Sequence, residues 1–311
     1  MNLREGRQSL HGRDIDVSSV GRVMFPEDGI TKGELIAYYD RIAETMLPYV
    51  VDRPIALKRY PGGLAAPGFF QKAAAAYFPD WIGRVHVDKR GGGTIDNLVV
   101  TEPATFVYLA NQNTIELHGW LTRADQLERA DQLVFDLDPP GEDIDAARVA
   151  ARRVRDLLDE LELPHLLKTS GSKGYHVHVL IDRSVAVDAP RFAADVAGLL
   201  AARHPRELTD QHRKDPRRGR VLIDHFRNGF GQTVVAPYSV RARPGAPVST
   251  PIDWRELASV DPQSFTLRNL FRRLGQKEDP WAAGWQHAHG GGVPLTDARA
   301  RLDDLLDERP D

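Results

Sequence analysis

The stretch Leu133-Val134-Phe135-Asp136-Leu137-Asp138-Pro139-Pro140 limits what this chain can fold into more than any other. Its apolar first half reads as a strand buried in a sheet, over 133–138. Two successive prolines end it, because neither can donate a backbone hydrogen bond to a neighbouring strand. Side chains alternate along a strand, so Asp136 and Asp138 share one face while Phe135 and Leu137 turn into the core. Carboxylates at that spacing repel one another unless a cation neutralises them. Such a pair can hold two divalent ions ~3.5–4 Å apart. Solvent-facing acids where a strand leaves its sheet would give the same residues, so the pair alone does not decide between a metal site and a surface.

The flanking pattern builds a sheet around that strand. Residues 146–161 place Ala147, Ala150, Ala151, Val154, Leu157, Leu158 and Leu161 on one face of an amphipathic helix. Strands are predicted over 166–169, 175–181, 221–224 and 233–236, with a helix over 192–202. Upstream, 31–47 reads as a helix opened by Thr31, with Glu34 three residues on, a pair that satisfies two helix-start amides reciprocally. Together these elements predict an α/β or α+β sheet domain across the middle of the chain, with the first hundred residues as a second lobe or an elaborated half. The expected organisation is one catalytic domain over 1–290, with the lobe reaching about residue 125 and the catalytic sheet spanning about 126–260. A C-terminal tail over 291–311 follows, with a short helix near 295–306.

Composition narrows the chemistry. There is no cysteine, so disulfides and thiolate metal sites are excluded. A metal must sit on carboxylates or histidines, and hard oxygen ligands favour Mg²⁺ or Mn²⁺. No apolar run is long enough to span a bilayer, and the N-terminus lacks the apolar core of a signal peptide, so a cytoplasmic protein without a membrane partner is expected. The formal net charge of −3 argues against a uniformly basic nucleic-acid binder. Yet Arg203, Arg206, Arg213, Lys214, Arg217, Arg218 and Arg220 crowd one segment against only Glu207, Asp210 and Asp215. Such a patch can bind phosphates whatever the total charge; a solvated loop is the alternative.

Four further motifs stand beside the Asp-Leu-Asp. Thr169-Ser170-Gly171-Ser172-Lys173-Gly174-Tyr175-His176-Val177-His178 combines hydroxyls, glycines and a lysine between two strands, so its backbone amides can approach a phosphate while Lys173 adds charge. The spacing and following helix of a Walker loop are missing; a polar hairpin with two half-buried histidines is the plainer reading. Asp224 ends the apolar run Val221-Leu222-Ile223, delivering one more carboxylate to a sheet edge. Arg241 and Arg243 follow the next strand and suit bidentate phosphate binding or a surface ion pair. Phe69-Phe70, preceded by Lys58-Arg59-Tyr60, could stack on unpaired bases or belong to a core.

In this order the motifs resemble the archaeo-eukaryotic primase superfamily, and within it the polymerase domain of bacterial DNA ligase D, over about residues 20–257. The Asp-Leu-Asp-Pro, the Thr-Ser-Gly-Ser-Lys-Gly-x-His, the strand-ending Asp224, the Ala-Pro-Tyr-Ser-x-Arg segment, the Arg-Pro at Arg53, Lys58-Arg59 and Phe69-Phe70 carry it. The resemblance implies an α+β primase-polymerase fold, a central mixed or antiparallel sheet with flanking helices and an N-terminal elaborated lobe, and a nucleotidyltransferase of DNA repair, adding nucleotides to a primer at gaps and double-strand-break ends in non-homologous end joining. It implies Asp136, Asp138 and Asp224 as catalytic ligands of two ions, Mn²⁺ or Mg²⁺. Ser170, Lys173 and His176, helped by His118 and Arg241, would hold an incoming nucleoside triphosphate, ribonucleotides preferred. Phe69, Phe70, Lys58 and Arg59 would meet the template. Arg22 and Lys32 would bind the 5′-phosphate of the downstream strand; the family carries lysine where Arg22 stands. The basic residues Arg217, Arg218 and Arg220 join the expected DNA contacts. Ku and a DNA ligase are the implied partners, and the bacterial nucleoid the implied place of work. The chain carries neither a ligase nor a phosphoesterase module, which fits an excised domain or a stand-alone relative filling gaps in excision repair.

Two rival enzymes and one binding module share parts of the pattern. His176-Val177-His178-Val179-Leu180 approaches the histidine-triad hydrolases, with Leu180 in place of the third histidine. Asp136-Leu137-Asp138 approaches the haloacid-dehalogenase phosphatases, with Pro140 where they carry Thr or Val. A metal-dependent nucleotide hydrolase, or a DNA-end-binding module that keeps only the phosphate pocket, is the alternative to a polymerase.

Overall fold

Thr31 opens the first long helix as its sequence requires. Its hydroxyl accepts the Glu34 N–H at 3.2 Å while the Glu34 carboxylate accepts the Thr31 N–H at 2.9 Å. The helix Lys32–Val50 follows and runs on through Pro48. It buries Leu35, Ile36, Tyr39, Ile42, Ala43 and Met46, the apolar stripe its periodicity marks. The structure is a computed structural model, and it describes residues 3–88, 92–183, 187–213, 217–289 and 292–308, with the side chains of 286–289 left aside.

The chain forms two compact units. The first comprises Met1–Asp125, Thr233–Ser249 and Phe265–Phe271; the second comprises Gln126–Gln232, Thr250–Ser264 and Arg272–Asp311. In the first unit an antiparallel sheet runs in the order Val234–Val235, Thr114–Gly119, Pro54–Arg59, Thr94–Val99, Gly83–Asp88, and Phe69–Gln71 pairs with Pro54–Arg59. The helices Lys32–Val50 and Ala104–Asn111 pack on each other, and the Tyr39 hydroxyl donates to the Ile115 carbonyl at 2.7 Å. The strand predicted at 233–236 therefore serves this sheet, because Val234 and Val235 align with Gly119 and His118.

The second unit holds the buried strand that carries Asp136 and Asp138, Gln132–Asp138. It lies inside a six-stranded sheet ordered Leu208–Thr209, Val221–Asp224, Gln132–Asp138, Tyr175–Leu180, His165–Thr169, Pro251–Ile252. Only the first two of these strands pair in parallel, which makes the sheet mixed. Leu133, Val134, Phe135 and Leu137 are wholly buried, so both faces of the central strand are covered. The helices Ile144–Glu160 and Ala189–Arg203 pack against it. The segment read as a tail carries the helix Leu295–Asp307, which docks on Ala189–Arg203 through Leu295, Ala298 and Leu302, with Arg299 ion-paired to Asp195 at 2.7 Å. Among the described residues no helix is long and apolar enough to cross a membrane.

Candidate active site

Backbone register assembles the acidic centre. Asp136 stands opposite Asp224 on one neighbouring strand and opposite His176 on the other, and His176 in turn faces Lys168. Directly paired residues lie on the same face of a sheet, so Lys168, His176, Asp136 and Asp224 form one row across four strands, and Asp138 joins them two residues along. Carboxylate oxygens of Asp136, Asp138 and Asp224 lie within 4.8 Å of one another.

Electrostatics divides the three acids. Burial alone would raise Asp136, but His176 Nε2 lies 3.1 Å from its Oδ1, and with Arg227 and Lys168 it holds the carboxyl well below the usual range. Asp138 has no such partner among the described residues. Burial first, then the charges of Asp136 and Asp224, push it up to about 6, against the pull of Arg217 and Arg227. Three carboxylates therefore converge with too little positive charge around Asp138, and oxygen is the only donor they offer. That set fits hard divalent cations, so the residues present suit the metals the sequence implies.

The loop after His165–Thr169 is tied down from within. The Ser170 hydroxyl accepts the N–H groups of Ser172 at 3.1 Å and Gly174 at 3.2 Å, and Gln263 Nε2 donates to the Ser172 carbonyl at 2.8 Å. Gly171 has φ +64°, a conformation side chains disfavour. Gly174 is required for a reason other than phosphate approach: a Cβ there would sit 1.9 Å from the Leu137 carbonyl oxygen, so the loop lies directly against the strand that carries Asp136 and Asp138. Lys173 makes no hydrogen bond or ion pair with the described residues and lines a cavity of about 310 Å³ with Glu142, Asp261 and Gln263. His178, on the same face as His176, is held by Gln132 at 2.9 Å and packs edge-on against Trp281. It is a core histidine rather than part of a histidine triad.

His118 and Arg241 belong to the first unit, where one unforeseen residue organises them. Glu116 is buried; its carboxylate lies 2.8 Å from His118 Nε2, 3.2 Å from Arg241 Nε and 3.4 Å from Lys58 Nζ, and accepts the Ala242 N–H at 3.0 Å. Burial would raise it, but these three cationic or donor groups hold it far below the usual carboxylate range. Burial lowers the His118 pKa against the pull of Glu116. Phe70 packs edge-on to His118 at 5.3 Å, and Phe69 and Phe70 are 47% and 57% exposed, so the aromatic pair is not core. Arg59 is largely spent inside the unit, donating to the Gln112 carbonyl, Gln71 and Tyr77.

The remaining cations are more committed than their sequence suggests. The helix start at Thr31 does not offer free amides: Lys32 N–H donates to the Arg22 carbonyl at 2.7 Å and Gly33 N–H to that of Val20 at 2.8 Å, while Glu34 N–H is taken by Thr31. Lys32 is buried, with Nζ 2.7 Å from the Ser18 carbonyl; burial and nearby Arg22 lower it to about 8. The exposed Arg22 reaches the Pro61 carbonyl at 2.8 Å. In the second unit Arg217 and Arg220 fold their own loop, donating to the carbonyls of His212 and Arg217, and Arg218 adopts φ +48°. Lys214 lies outside the described residues. Sequence reasoning also passed over Arg227, whose Nε stands 3.2 Å from Asp224 and 3.6 Å from Asp136, and Lys168, wholly buried on the strand beside His176.

A primase-polymerase fold with three carboxylates gathered on adjacent antiparallel strands defines a metal-dependent nucleotidyltransferase. The LigD primase-polymerase domain family matches residues 31–281, and the chain belongs to that family. It is 32% identical over 270 residues to the multifunctional non-homologous end joining protein LigD of Mycolicibacterium smegmatis, covering 85% of this chain and 35% of that protein. To the corresponding protein of Pseudomonas aeruginosa it is 35% identical over 275 residues, covering 86% of this chain and 32% of that one. The chain thus spans about a third of the length of these curated relatives. Among solved structures, the polymerase domain from Mycobacterium tuberculosis ligase D in complex with DNA superposes with a TM-score of 0.80 at 31% identity, covering 88% of this chain and 98% of that one.

Proposed function

We propose that this chain is a repair primase-polymerase that extends a primer by template-directed nucleotidyl transfer at gaps and double-strand-break ends in non-homologous end joining. The carrying observation is the convergence of Asp136, Asp138 and Asp224 within 4.8 Å, on a sheet whose neighbouring strand supplies His176 and the Lys173 loop. Asp136, Asp138 and Asp224 would hold two cations, Mn²⁺ or Mg²⁺; bound there, such ions activate the primer 3′-hydroxyl and neutralise the triphosphate. His176 keeps Asp136 ionised as an acceptor, and Lys173 is free to meet phosphate. Glu116 fixes the positions of His118 and Arg241 within the first unit, and both would contact the nucleotide. Nucleoside triphosphates, ribonucleotides first, are the substrates; Phe69, Phe70, Lys58 and Arg59 meet the template, and Arg217, Arg218 and Arg220 the DNA backbone. Arg22 and Lys32 read a downstream 5′-phosphate. Ku and a DNA ligase are the partners, at the nucleoid in the cytoplasm.

Primer extension on a gapped duplex tests this reading, with ribo- and deoxynucleotides and with each metal. Wild type should extend, and Asp138→Ala should not, while melting as a folded protein. Extension by a well-folded Asp138→Ala variant would remove these aspartates from the chemistry. Nucleotide hydrolysis without extension would make the protein a hydrolase.

A further inference from the structure

Phe226 is an exposed aromatic beside the acidic centre. Phe226 opens the short turn Phe226–Asn228 directly after the strand Val221–Asp224. Its backbone N–H donates to Asp224 Oδ1 at 3.0 Å, so its position is fixed to a metal-site carboxylate. Yet the residue is 58% exposed. Two imidazoles pack against the ring: His225 stacks on it with centroids 4.5 Å apart and planes at 28°, and His212 meets it edge-on at 4.1 Å.

The turn does not need Phe226 for its own stability. Asn228 anchors it, exchanging hydrogen bonds of 2.8 Å with both the N–H and the carbonyl of Val134 and donating to the His225 carbonyl at 2.7 Å. An apolar side chain left open at a site of charged chemistry, with its plane held by neighbouring rings, has the form of a stacking surface.

The order of strands says which base it meets. The sheet runs Asp224, Asp136, His176, Lys168 in adjacent register. In the polymerase reading, on which this inference rests, the triphosphate lies on the His176 and Lys173 side. The flank beyond Asp224 is then left for the strand whose 3′-hydroxyl must reach the carboxylates. The terminal base of that strand is joined to the same sugar as the hydroxyl, a few ångströms away. The segment that carries His212 also carries Arg213, Arg217 and Arg218, cations suited to that strand's phosphates. We propose that Phe226, braced by His225 and His212, is the platform on which the terminal base of the primer stacks.

The test is primer extension by wild type, Phe226→Ala and Phe226→Trp, on primers ending in a normal nucleotide or in an abasic one, with KM measured separately for primer–template and for nucleotide. Phe226→Ala should raise the primer–template KM about tenfold, the scale of one base–aromatic stack, with the nucleotide KM within about twofold and Phe226→Trp close to wild type. An abasic terminus should cost wild type a larger factor than it costs Phe226→Ala, because both proteins lose the terminal base pair but only wild type also loses the stack. An unchanged primer–template KM in Phe226→Ala overturns the assignment, as does a rise confined to the nucleotide KM or an abasic penalty equal in both proteins. Wild type that extends no primer overturns the polymerase reading itself, whereas wild type that extends while Phe226→Ala behaves identically overturns only the stacking role.

Discussion

Replacing Glu116 by glutamine keeps the shape of the side chain and deletes its charge. The carboxylate serves Lys58, His118, Arg241 and the Ala242 N–H, and it is almost fully buried. Hydrogen bonds to a charged group contribute roughly 1.5–3 kcal/mol each and neutral ones about 1 kcal/mol. Glutamine retains a neutral bond to the Ala242 N–H but leaves Arg241 facing a neutral group. The desolvation cost of a buried anion disappears at the same time and offsets part of the loss. The balance is a destabilisation of about 2–4 kcal/mol at pH 7, or a fall in Tm of about 3–6 °C for a chain of this size. The pH dependence identifies the cause. A carboxyl held below its ordinary value contributes stability that is complete above its unfolded pKa, about 4.3, and drains away as pH falls toward the folded value. Thermal melting of Glu116→Gln and wild type should therefore show a gap that is constant from pH 7 to about 5 and narrows below about pH 4. Equal melting at pH 7, or a gap that persists unchanged to pH 3, would refute the claim that the Glu116 charge organises this cluster.

Three further outcomes follow from the geometry. Lys173→Ala should raise the nucleotide KM roughly 10- to 100-fold, one charged phosphate contact, while gapped-DNA affinity measured by anisotropy changes much less. Gly174→Ala, whose new Cβ would sit 1.9 Å from the Leu137 carbonyl oxygen, should force the loop off the strand that carries Asp136 and Asp138; calorimetry should show a loss of about 3 kcal/mol or more, the scale of severe overpacking. Wild type should bind a duplex with a downstream 5′-phosphate better than one with a 5′-hydroxyl at fixed salt, and Lys32→Ala should erase the difference. Because burial lowers Lys32 to about 8, the preference should fade as pH rises past that value, since a lysine loses its charge above its pKa.

The sequence displays what is local and periodic. The buried strand with its two aspartates, the capping box at Thr31 and Glu34, and the strand ending at Asp224 all follow from alternation, helical spacing and cap chemistry, and the three aspartates do meet. What stayed hidden depends on contacts between distant segments. Glu116 reads as an ordinary strand residue until Arg241, 125 positions later, is brought to it. The glycines of the Lys173 loop suggest room for phosphate, but Gly174 answers to the Leu137 carbonyl beneath it. The amides at the start of Lys32–Val50 look available because the segment that occupies them, Val20 to Arg22, has no periodic signal. The return of Thr233–Ser249 to the first unit is invisible for the same reason: a short apolar strand does not say which sheet edge it will join.

Setting the acidic centre by strand register has a consequence for how this protein tolerates change in length. A single residue inserted into Gln132–Asp138, Tyr175–Leu180 or Val221–Asp224 upstream of its site residue would turn Asp136, His176 or Asp224 to the opposite face of the sheet. Point substitution can weaken the centre by degrees, but an insertion of that kind dismantles it in one step. Insertions between strands, as at 140–143, leave the pairing intact. Chimeras and loop grafts made from relatives of this chain should therefore keep activity when their junctions fall between strands, and lose it abruptly when a junction falls one residue inside one.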